Sequence, residues 1–376
     1  MGNRPFTFGV AASGENFTDR KKETERLLLN FRHGVNTVLI SPRRWGKTSL
    51  VQKVSGLAQS NQLKVVYLDI FSCRSDRDFY DMFASAILKQ TSSKFEEWME
   101  NARLFLSRIS PKISIGTDPM TDFSISLEIN PKSEDIDEIL HLPEKIAQKK
   151  GCNIVVCIDE FQQIAEFKDS IIFQKRLRSV WQLQKSVSYC LFGSRKHLMN
   201  ELFEKKSYPF YKFGDAVYLS KIGTEDWIEY ICKRFKDTGK LISEELAEKI
   251  CVRVDNHSSY VQQLAWLVWI HADEVATEQD LEAAYQDLID QNTPLFEKQT
   301  ESLTTYQMNF LRAVIDGVYS EFTTREVLNK YQLGSSANVS IVKRALVKKE
   351  LIEIEKRHIV IPDPVMKVWL KRELRM

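Results

Sequence analysis

The sequence predicts an α/β protein with an open parallel sheet, followed by a helical domain and a small domain of helices and a β-ribbon. Apolar runs typical of buried strands alternate with amphipathic helical segments over residues 1–222. From Thr224 the apolar periodicity is helical only. After residue 293, helical segments are followed by a pair of alternating strands, which is the order of a winged helix.

The strands of the predicted sheet are short runs rich in β-branched residues, bounded by turn residues. They are expected at 36–40, 63–70, 153–158, 188–192 and 216–219. Helices are predicted between them at 19–31, 50–59, 77–90, 136–149 and 174–185. The alternation breaks within 91–135, where we predict an insertion: a helix ending near Ile109, then a hairpin turning around Gly116 and Pro119.

The predicted domains are therefore a core at 1–222, a helical lid at 223–293 and a winged helix at 294–376. In the lid, Trp227, Tyr230, Ile231 and Phe235 share one helical face, and further helices are predicted at 247–254, 260–271 and 279–289. Tyr260, Trp266 and Trp269 fall at helical spacing, which predicts a core position. In the last domain we predict helices at 304–315, 324–330 and 336–349, and strands at 351–354 and 358–361.

Composition narrows the class of protein. The chain has 376 residues, 43% hydrophobic and 28% charged, which suits two or three soluble domains and excludes wholesale disorder. With 53 Lys and Arg against 51 Asp and Glu, the net charge of +2 excludes a protein that coats nucleic acid, so any such binding must be local. Neither a secretory signal nor a membrane span is predicted, so we expect a cytoplasmic protein with scattered, reduced cysteines.

A phosphate-binding loop is predicted directly after the first strand. Gly46-Lys47-Thr48 is the tail of the Walker A pattern, in which backbone amides cradle phosphates, the lysine reaches their oxygens and the hydroxyl holds Mg²⁺. A strand precedes it and a helix follows it, as that pattern requires. Ser41 stands where the pattern has its first glycine. Because serine lacks the free access of glycine to positive φ, we expect the loop to turn at Ser41 either without a positive φ or with a strained one.

The run 153–158 ends in Asp159 and Glu160, as a Walker B strand does. Asp159, at the carboxyl end of a buried strand, is predicted to lie beside the phosphate loop and to complete the Mg²⁺ shell. Glu160 is one position further and is predicted to activate the attacking water. The expected ligands are therefore ATP or ADP and Mg²⁺.

These motifs resemble those of the archaeal-type AAA-related ATPases of prokaryotes, which are grouped with the STAND P-loop ATPases. The resemblance rests on 42–50, on 158–162, on Phe17 to Glu23, on 192–194, on 256–262 and on the ending around Asp363 and Trp369. It implies that Phe17 and Arg20 lie at the nucleotide and that Ser194 senses the γ-phosphate. It also implies a phosphate-loop role for Pro42, Arg43, Arg44, Trp45, Gly46, Lys47, Thr48 and Ser49.

Several cations have alternative interpretations. Arg43 and Arg44 either touch phosphate or form ion pairs at the sheet edge. Lys212, Arg195 and Arg178 are candidates for contacting the γ-phosphate, in the same or a neighbouring subunit, or are surface cations that form salt bridges. The sequence leaves open which applies, and also whether subunits associate around the nucleotide.

The C-terminal segment is the basic part of the chain, since residues 301–376 contain 13 Lys and Arg against 9 Asp and Glu. Lys343, Arg344 and Lys348 lie on the predicted helix 336–349, off its apolar face, so they are candidates for contacts with nucleic acid. A protein partner, or a merely solvated helix face, fits the same pattern.

The sequence as a whole favours an ATPase that works as a nucleotide-driven switch, slow or partner-stimulated, with Glu160 and Lys47 as catalytic residues. The alternative is an adaptor or DNA-binding regulator that holds nucleotide without hydrolysing it and acts through its winged helix. A DNA-processing motor is a third hypothesis, which a more basic surface would have favoured. GTP in place of ATP is left open.

Overall fold

The computed structural model describes residues 4–106, 110–115, 123–128 and 133–374. These residues form two compact units, one of 11–220 and one that combines 4–10 with 221–374. The turn predicted around Gly116 and Pro119, and the predicted helix end at Ile109, lie outside the described residues.

The first unit is built on a parallel sheet, as predicted. In chain order, the strands of this unit are β1 (Thr37–Ile40), β2 (Leu63–Asp69), β3 (Ser110–Ile115), β4 (Phe123–Glu128), β5 (Asn153–Asp159), β6 (Val187–Gly193) and β7 (Asp215–Tyr218). The strands β3 and β4 pair with each other in antiparallel direction. Within the described residues, five of these strands form one parallel sheet in the order β2-β5-β6-β1-β7.

Helices connect these strands and cover the sheet. They are α1 (Lys21–Arg32), α2 (Lys47–Ala58), α3 (Asp76–Thr91), α4 (Phe95–Phe105), α5 (Ser133–Lys150), α6 (Ser170–Trp181) and α7 (Lys196–Glu204). All except α7 were expected from the sequence. The helix α7 follows Ser194 directly and was missed because its nine residues provide few helical turns on which a periodicity can be recognised.

The sheet is buried on both faces because its strands alternate between two hydrophobic clusters. In β5, Ile154, Val156 and Ile158 join one cluster, whereas Val155 and Cys157 join the other. The first cluster packs under α3 and α5 and the second under α1 and α2. A continuous apolar run such as 153–158 is therefore explained by a central strand with helices on both sides.

The second unit begins with a helical part. Its helices are α8 (Thr224–Asp237), α9 (Glu244–Arg253), α10 (Ser258–His271) and α11 (Glu278–Glu301). The predicted shared face of α8 is confirmed, since Trp227, Tyr230, Ile231 and Phe235 are buried. The helix α11 runs through the predicted boundary between residues 293 and 294, with Pro294 inside it.

The N-terminal segment 4–10 is part of this second unit. The Phe6 side chain is fully buried in the core of the unit, against Tyr230 and Phe235. Arg234, itself 2% exposed, donates hydrogen bonds to the carbonyl oxygens of Pro5 (2.7 Å) and Arg4 (3.2 Å). The segment is thus held by both a buried ring and a buried guanidinium.

The remainder of the second unit has the predicted order of a winged helix. It contains α12 (Thr305–Ile315), α13 (Arg325–Lys330), α14 (Ser336–Lys348), the antiparallel pair β8 (Glu353–Glu355) and β9 (His358–Val360), and α15 (Pro364–Glu373). The helix α15 was not predicted. Asp363 begins it by accepting hydrogen bonds from the backbone of Val365 and Met366, and Trp369 packs on Phe296 of α11 with ring centroids 5.7 Å apart.

One prediction about the core holds fully only for Tyr260, because Trp266 and Trp269 pack against the core cluster without being buried in it. Tyr260 is buried, but Trp266 and Trp269 are only half-buried and stack on each other with ring centroids 5.2 Å apart. The guanidinium of Arg4 lies over Trp266 and the ammonium of Lys240 over Trp269, at 5.6 and 4.3 Å. The pair therefore lies at the margin of the core with a cation over each ring, which helical spacing alone does not distinguish from a fully buried position.

Two general features concern the described residues. None of the helices in those ranges combines the length and the apolar character needed to cross a membrane. The cysteines are free thiols there, and all except the half-buried Cys232 are buried.

Candidate nucleotide site

Neighbouring strand ends bring the predicted motifs to one edge of the sheet. The strand β1 ends at Ile40, β5 at Asp159 and β6 at Gly193. Because β6 lies between β5 and β1 and all of them are parallel, these ends are side by side. Loops at the carboxyl ends of parallel strands form the ligand sites of open α/β sheets. The predicted phosphate loop, acidic strand end and Ser194 thus share that position.

The loop between β1 and α2 turns through left-handed residues. Arg44 has φ of 62° and is exposed, and Gly46 has φ of 87° and precedes the first residue of α2. Glycine adopts this conformation without a steric penalty, which accounts for its place before Lys47. Among the described side chains none caps α2, so the amides of its first turn face the loop. Pro42 and Trp45 are half-buried in the same turn.

Lys47 is held at the base of this loop. Its side chain is 6% exposed, and its Nζ donates hydrogen bonds to the carbonyl oxygens of Pro42 (2.8 Å) and Ser41 (3.0 Å) and to the Ser41 hydroxyl (3.2 Å). Of the two alternatives stated for Ser41, the structure shows the first, a turn made without positive φ at this residue. Ser41 is not among the residues of positive φ, since the left-handed turn falls at Arg44 instead. The Ser41 hydroxyl acts as an acceptor for the lysine.

Thr48 and Asp159 meet in front of the loop. Thr48 Oγ1 donates to Asp159 Oδ2 at 2.8 Å, Tyr67 Oη donates to the same oxygen at 2.8 Å, and the Glu160 amide donates to Oδ1 at 2.8 Å. Burial raises the pKa of Asp159, while the hydrogen bonds from Tyr67 and Thr48 lower it in part. Burial, reinforced by the charge of Asp159, also raises the pKa of Tyr67, so the phenol remains a donor.

This pair has the chemistry of a magnesium site completed by a ligand. A carboxylate and a hydroxyl provide the hard oxygen atoms that Mg²⁺ prefers, and Mg²⁺ is usually bound by one or two carboxylates together with phosphates and water. In the described parts of the chain, no group of three or more His, Cys, Asp or Glu residues is placed to hold a metal by itself. Thr48 and Asp159 therefore fit an ion that is shared with a bound nucleotide.

Glu160 is held beside this pair in a left-handed backbone conformation, with φ of 54°. Its Oε2 accepts hydrogen bonds from the Ser194 hydroxyl (3.0 Å) and from the Gln162 amide. Arg43 of the loop donates from Nε to the same Ser194 hydroxyl at 3.2 Å. A polar chain thus links the phosphate loop to the Glu160 carboxylate through Ser194. Arg43 is exposed and contacts Ser194, where the sequence left phosphate contact and sheet-edge ion pairing as alternatives.

The N-terminal motif residues lie against the loop and its helix. Arg20 is 2% exposed and donates to the Trp45 carbonyl oxygen (3.2 Å) and to Glu23 (3.1 Å). The Phe17 ring lies under the ammonium of Lys53 of α2 at 4.0 Å. Ser49, buried in α2, accepts a hydrogen bond from the Ala12 amide at 2.9 Å.

The cations considered for the γ-phosphate have other contacts. Arg178 lies over the Phe213 ring at 4.7 Å, and burial lowers its pKa. Arg195 forms an ion pair with Glu166. Lys212 is exposed, with its ammonium 5.5 Å from the centre of the Tyr211 ring. Of these contacts, only that of Arg195 is the salt bridge of the structural alternative, whereas Arg178 and Lys212 lie at aromatic rings.

The basic residues of the winged helix lie on α14. Arg344 and Lys348 are exposed and Lys343 is half-buried, while Val339, Val342 and Leu346 face the core. The turn between β8 and β9 adds the exposed, left-handed Lys356 and Arg357.

Sequence analysis missed Tyr67, which contacts Asp159, and gave no role to Gln162, which contacts Glu160. Gln162 is 2% exposed and follows Glu160 by two positions, within the segment 158–162 on which the resemblance rests. Tyr67 is 92 residues from Asp159 and belongs to β2. Its signal was a phenol among the apolar residues 65–68 of the strand, which acquires meaning only when β2 and β5 are known to be neighbours.

Comparisons with known proteins agree with this architecture. A family model described as "Probable winged helix domain" matches residues 294–372. Curated proteins gave no match. A Walker-type ATPase of Pyrococcus abyssi is similar in structure, with a TM-score of 0.69 and 16% identity over 98% of this chain and 99% of that one.

The Aeropyrum pernix ORC2 protein is similar in two structures. Its ADPNP-ADP complexes match with a TM-score of 0.58 and 14% identity, and its ADP form with 0.55 and 13%, each over 99% of this chain and 98% of that one. At such identities the likeness establishes the fold. The chain therefore has the fold of an archaeal-type, AAA-related P-loop ATPase with a C-terminal winged helix, as the motifs predicted.

Proposed function

We propose that this protein binds ATP with magnesium, hydrolyses it and uses the cycle as a conformational switch. The observation that carries the proposal is the contact of Thr48 with Asp159 at 2.8 Å, next to the loop that holds Lys47. Residues from separate motifs of the sequence meet there in the arrangement that phosphate and Mg²⁺ require. The ORC2 structure in ADPNP-ADP complexes, which has a similar fold, is further support for a nucleotide ligand.

In this proposal the loop and the start of α2 bind the phosphates. The amides around Gly46 donate to phosphate oxygens, and the Lys47 ammonium turns from the loop carbonyls to the β- and γ-phosphate oxygens. Phe17 and Arg20 lie on the nucleoside side. The residues assigned to the phosphate-binding loop are Pro42, Arg43, Arg44, Trp45, Gly46, Lys47, Thr48 and Ser49.

Thr48 and Asp159 would hold the magnesium ion, Thr48 through its hydroxyl oxygen and Asp159 through its carboxylate. When bound, the ion neutralises the charge that develops on the phosphate oxygens. Thr48 can keep donating its proton to Asp159 while a lone pair of its oxygen faces the metal. Their present hydrogen bond is therefore compatible with metal binding.

Glu160 is assigned the role of general base. The hydrogen bonds from Ser194 and Gln162 go to Oε2, which leaves Oε1 for a water molecule. Glu160 accepts a proton from that water molecule while the water oxygen forms a bond to the γ-phosphorus. The bond between the γ-phosphorus and the bridging oxygen of ADP breaks. The products are ADP and inorganic phosphate, to which the proton returns.

Ser194 is assigned the role of γ-phosphate sensor. It contacts both Arg43 and Glu160, so a phosphate group that attracts Arg43 or Ser194 changes the hydrogen bonding of the base. We further assign the predicted core of 1–222, apart from the segment 4–10 that packs in the second unit, to the ATPase domain, 223–293 to a lid and 294–376 to the winged helix through which the switch acts. The STAND grouping belongs to the same proposal.

A second candidate function is a nucleotide-gated adaptor that does not hydrolyse ATP. The observation that favours it is that Arg178, Arg195 and Lys212 each have another contact, so none of these cations is assigned to the γ-phosphate. In that function ATP or ADP stabilises one conformation, and a protein or DNA partner binds the winged helix. The exposed Arg344 and Lys348 favour a polyanion as that partner.

The deciding experiment compares ATP turnover and nucleotide affinity of the wild type, Glu160→Gln and Lys47→Ala. Loss of turnover with retained affinity in Glu160→Gln, and loss of affinity in Lys47→Ala, supports the hydrolysing switch. The exposed Lys175→Ala is the matched control for Lys47→Ala and should behave as wild type. If the wild type binds ATP and never turns it over, even with duplex DNA present, the adaptor function is favoured instead.

The polyanion partner has its own test. We expect the triple substitution Lys343→Ala, Arg344→Ala and Lys348→Ala to weaken binding of duplex DNA and to reduce the slope of affinity against salt concentration. The exposed Lys371→Ala, on α15, is the control. Equal affinity of the triple variant and the wild type would exclude α14 as the contact surface.

A further inference from the structure

We propose that Tyr67 is a positioning residue that orients the Asp159 carboxylate toward magnesium and thereby sets the magnesium affinity of the site. This inference rests on the proposed function, because it assigns a role toward the ion that Thr48 and Asp159 would hold. Its basis is the hydrogen bond from Tyr67 Oη to Asp159 Oδ2 at 2.8 Å.

The register of the sheet explains how Tyr67 reaches this carboxylate. In the parallel pairing of β2 with β5, Tyr67 lies opposite Cys157, and Asp69 lies opposite Asp159. Tyr67 is thus two positions short of Asp159 along the strands, on the same side of the sheet. A phenol is long enough to span that offset, whereas a serine or threonine hydroxyl at position 67 would end near its own strand.

The Asp159 carboxylate is fixed by donors on both oxygens. Tyr67 and Thr48 donate to Oδ2, and the Glu160 amide donates to Oδ1. Asp159 is 5% exposed, so water does not readily replace a missing donor. If the Tyr67 hydroxyl is removed, Oδ2 keeps only the Thr48 hydroxyl, which sits on the residue that must also bind the ion. The carboxylate plane then loses its independent anchor.

Tyr67 is itself held firmly enough to act as an anchor. Its backbone amide donates to Gln90 Oε1 at 2.9 Å, and Gln90 Nε2 donates back to its carbonyl oxygen at 2.7 Å. The glutamine side chain in this way continues the hydrogen bonding of the edge strand β2. The Tyr67 ring also packs near Phe192 of β6, with centroids 6.2 Å apart. Groups that orient a metal ligand from behind commonly change metal affinity by 10–100-fold when removed.

The experiment measures ADP binding by calorimetry, for Tyr67→Phe and for the wild-type protein, at increasing magnesium concentrations. The phenylalanine keeps the ring and its packing and removes only the donor. We expect the magnesium concentration at half-saturation to rise by about tenfold or more, while the affinity for ADP in EDTA stays within about twofold of the wild type. Direct Mn²⁺ binding in the presence of ADP, measured by electron paramagnetic resonance, should weaken in parallel.

Tyr189→Phe is the matched control. Tyr189 is a buried tyrosine of the same unit whose hydroxyl donates to Gln184 at 2.7 Å, away from the acidic pair. It should leave the magnesium titration unchanged even if it lowers stability. If Tyr67→Phe does not fold, Tyr67→Met provides a second donor-free variant.

The outcomes separate this inference from the proposed function. An unchanged magnesium titration in Tyr67→Phe, with a magnesium-dependent wild type, overturns the role of Tyr67 alone. A wild type that binds neither ADP nor Mn²⁺ overturns both. If Tyr67→Phe weakens ADP binding equally with and without magnesium, the inference is also overturned, because the substitution then causes a general structural defect.

Discussion

The hydroxyl of Thr48 donates a hydrogen bond to the carboxylate of Asp159 at 2.8 Å, although the residues are 111 positions apart in the chain. Thr48 is in the first turn of α2 and Asp159 is the last residue of β5. Only one strand, β6, lies between β1 and β5 in the parallel sheet, so their carboxyl ends are close together. The loop after β1 can therefore reach the end of β5. It joins the hydroxyl of the phosphate loop to the acidic strand end.

The first prediction is that Thr48→Val lowers the free energy of unfolding of the ligand-free protein by about 1–3 kcal/mol. The valine has nearly the same shape, so the main loss is a donor to a buried carboxylate. Urea unfolding at constant pH measures it. Magnesium should also increase ADP affinity less than in the wild type, because one oxygen ligand is missing.

Thr91→Val is the control for Thr48→Val. The hydroxyl of Thr91 is buried in the same unit and donates to the neutral carbonyl of Ile87 at 2.6 Å. We expect a smaller loss of stability and no effect on the magnesium dependence. If the two variants are equally affected in both measurements, the Thr48–Asp159 contact has no special role.

The second prediction concerns Gly193, which must lack a side chain because Gln162 occupies the space. A β-carbon on Gly193 would lie 1.7 Å from Gln162 Oε1 and 3.1 Å from Met199 Sδ. Gly193→Ala should therefore push the Gln162 amide away from Glu160. We expect ATP turnover to fall at least about tenfold through loss of base positioning, with nucleotide affinity retained.

Gly56→Ala is the matched glycine substitution. Gly56 is inside α2, and no heavy atom lies within 4 Å of the β-carbon it would gain. It should stabilise the protein by about 0.5–1 kcal/mol and leave turnover unchanged. Full turnover in Gly193→Ala would contradict the role of Gln162 in holding Glu160.

Much of the candidate nucleotide site was predictable because its residues belong to contiguous motifs. The loop from Pro42 to Ser49 is local, and so is the run that ends at Asp159 and Glu160. The parallel direction of the strands required only that alternating strands and helices form crossovers, whereas the order β2-β5-β6-β1-β7 is known from the structure. The contact between these motifs follows from that topology.

What was missed depends on side chains that meet across strands. Tyr67 contacts Asp159 only because β2 pairs with β5 in one particular register, and a shift by one residue would turn its ring to the opposite face. At Ser41 the sequence left an unstrained and a strained turn as alternatives. The structure shows the unstrained one, because the left-handed turn is made at Arg44, and the Ser41 oxygens accept hydrogen bonds from Lys47. Pairwise contacts of this kind are not recorded in the periodicity of either segment.

The third prediction is a pH dependence of stability that comes from the first unit. Asp215 on the edge strand β7 accepts hydrogen bonds from Arg26 and Asn30 of α1, at 2.8 Å for each Oδ2 contact. The Arg26 hydrogen bond lowers the pKa of Asp215, with Asn30 contributing in the same direction. A carboxylate with a depressed pKa in the folded state stabilises the protein above its unfolded-state pKa, of about 3.9, and loses that contribution as the pH falls.

We therefore expect Asp215→Asn to be less stable than the wild type by about 1 kcal/mol at pH 7. The difference should begin to shrink as the pH falls below about 5 and largely disappear below the folded-state pKa. Urea unfolding between pH 7 and pH 3 measures it, with the exposed Asp169→Asn as control. A difference that stays constant over this range would show that the contact does not titrate.

The N-terminal segment shows most clearly what sequence patterns leave out. Residues 4–10 were assigned to the core domain on the basis of chain order, yet they pack in the second unit, more than 200 residues away along the chain. Phe6 and the nearby Phe8 belong to a segment too short to show a periodicity, so nothing local indicated the partner of Phe6. Arg234, within a helix of charged and apolar residues, likewise gave no sign that it would be buried.

The fourth prediction is that Phe6→Ala destabilises the second unit by about 3–5 kcal/mol. The Phe6 ring is fully buried between Tyr230 and Phe235, so its removal leaves a cavity in the core as well as losing apolar contact. Hydrogen exchange of α8 amides should become faster, and α2 and β5 of the first unit should exchange as in the wild type. Val10→Ala is the control, because Val10 is 70% exposed in the same segment and its truncation should change stability by less than about 0.5 kcal/mol. Unchanged exchange in α8 of Phe6→Ala would mean that the segment is not part of the core of the second unit in solution.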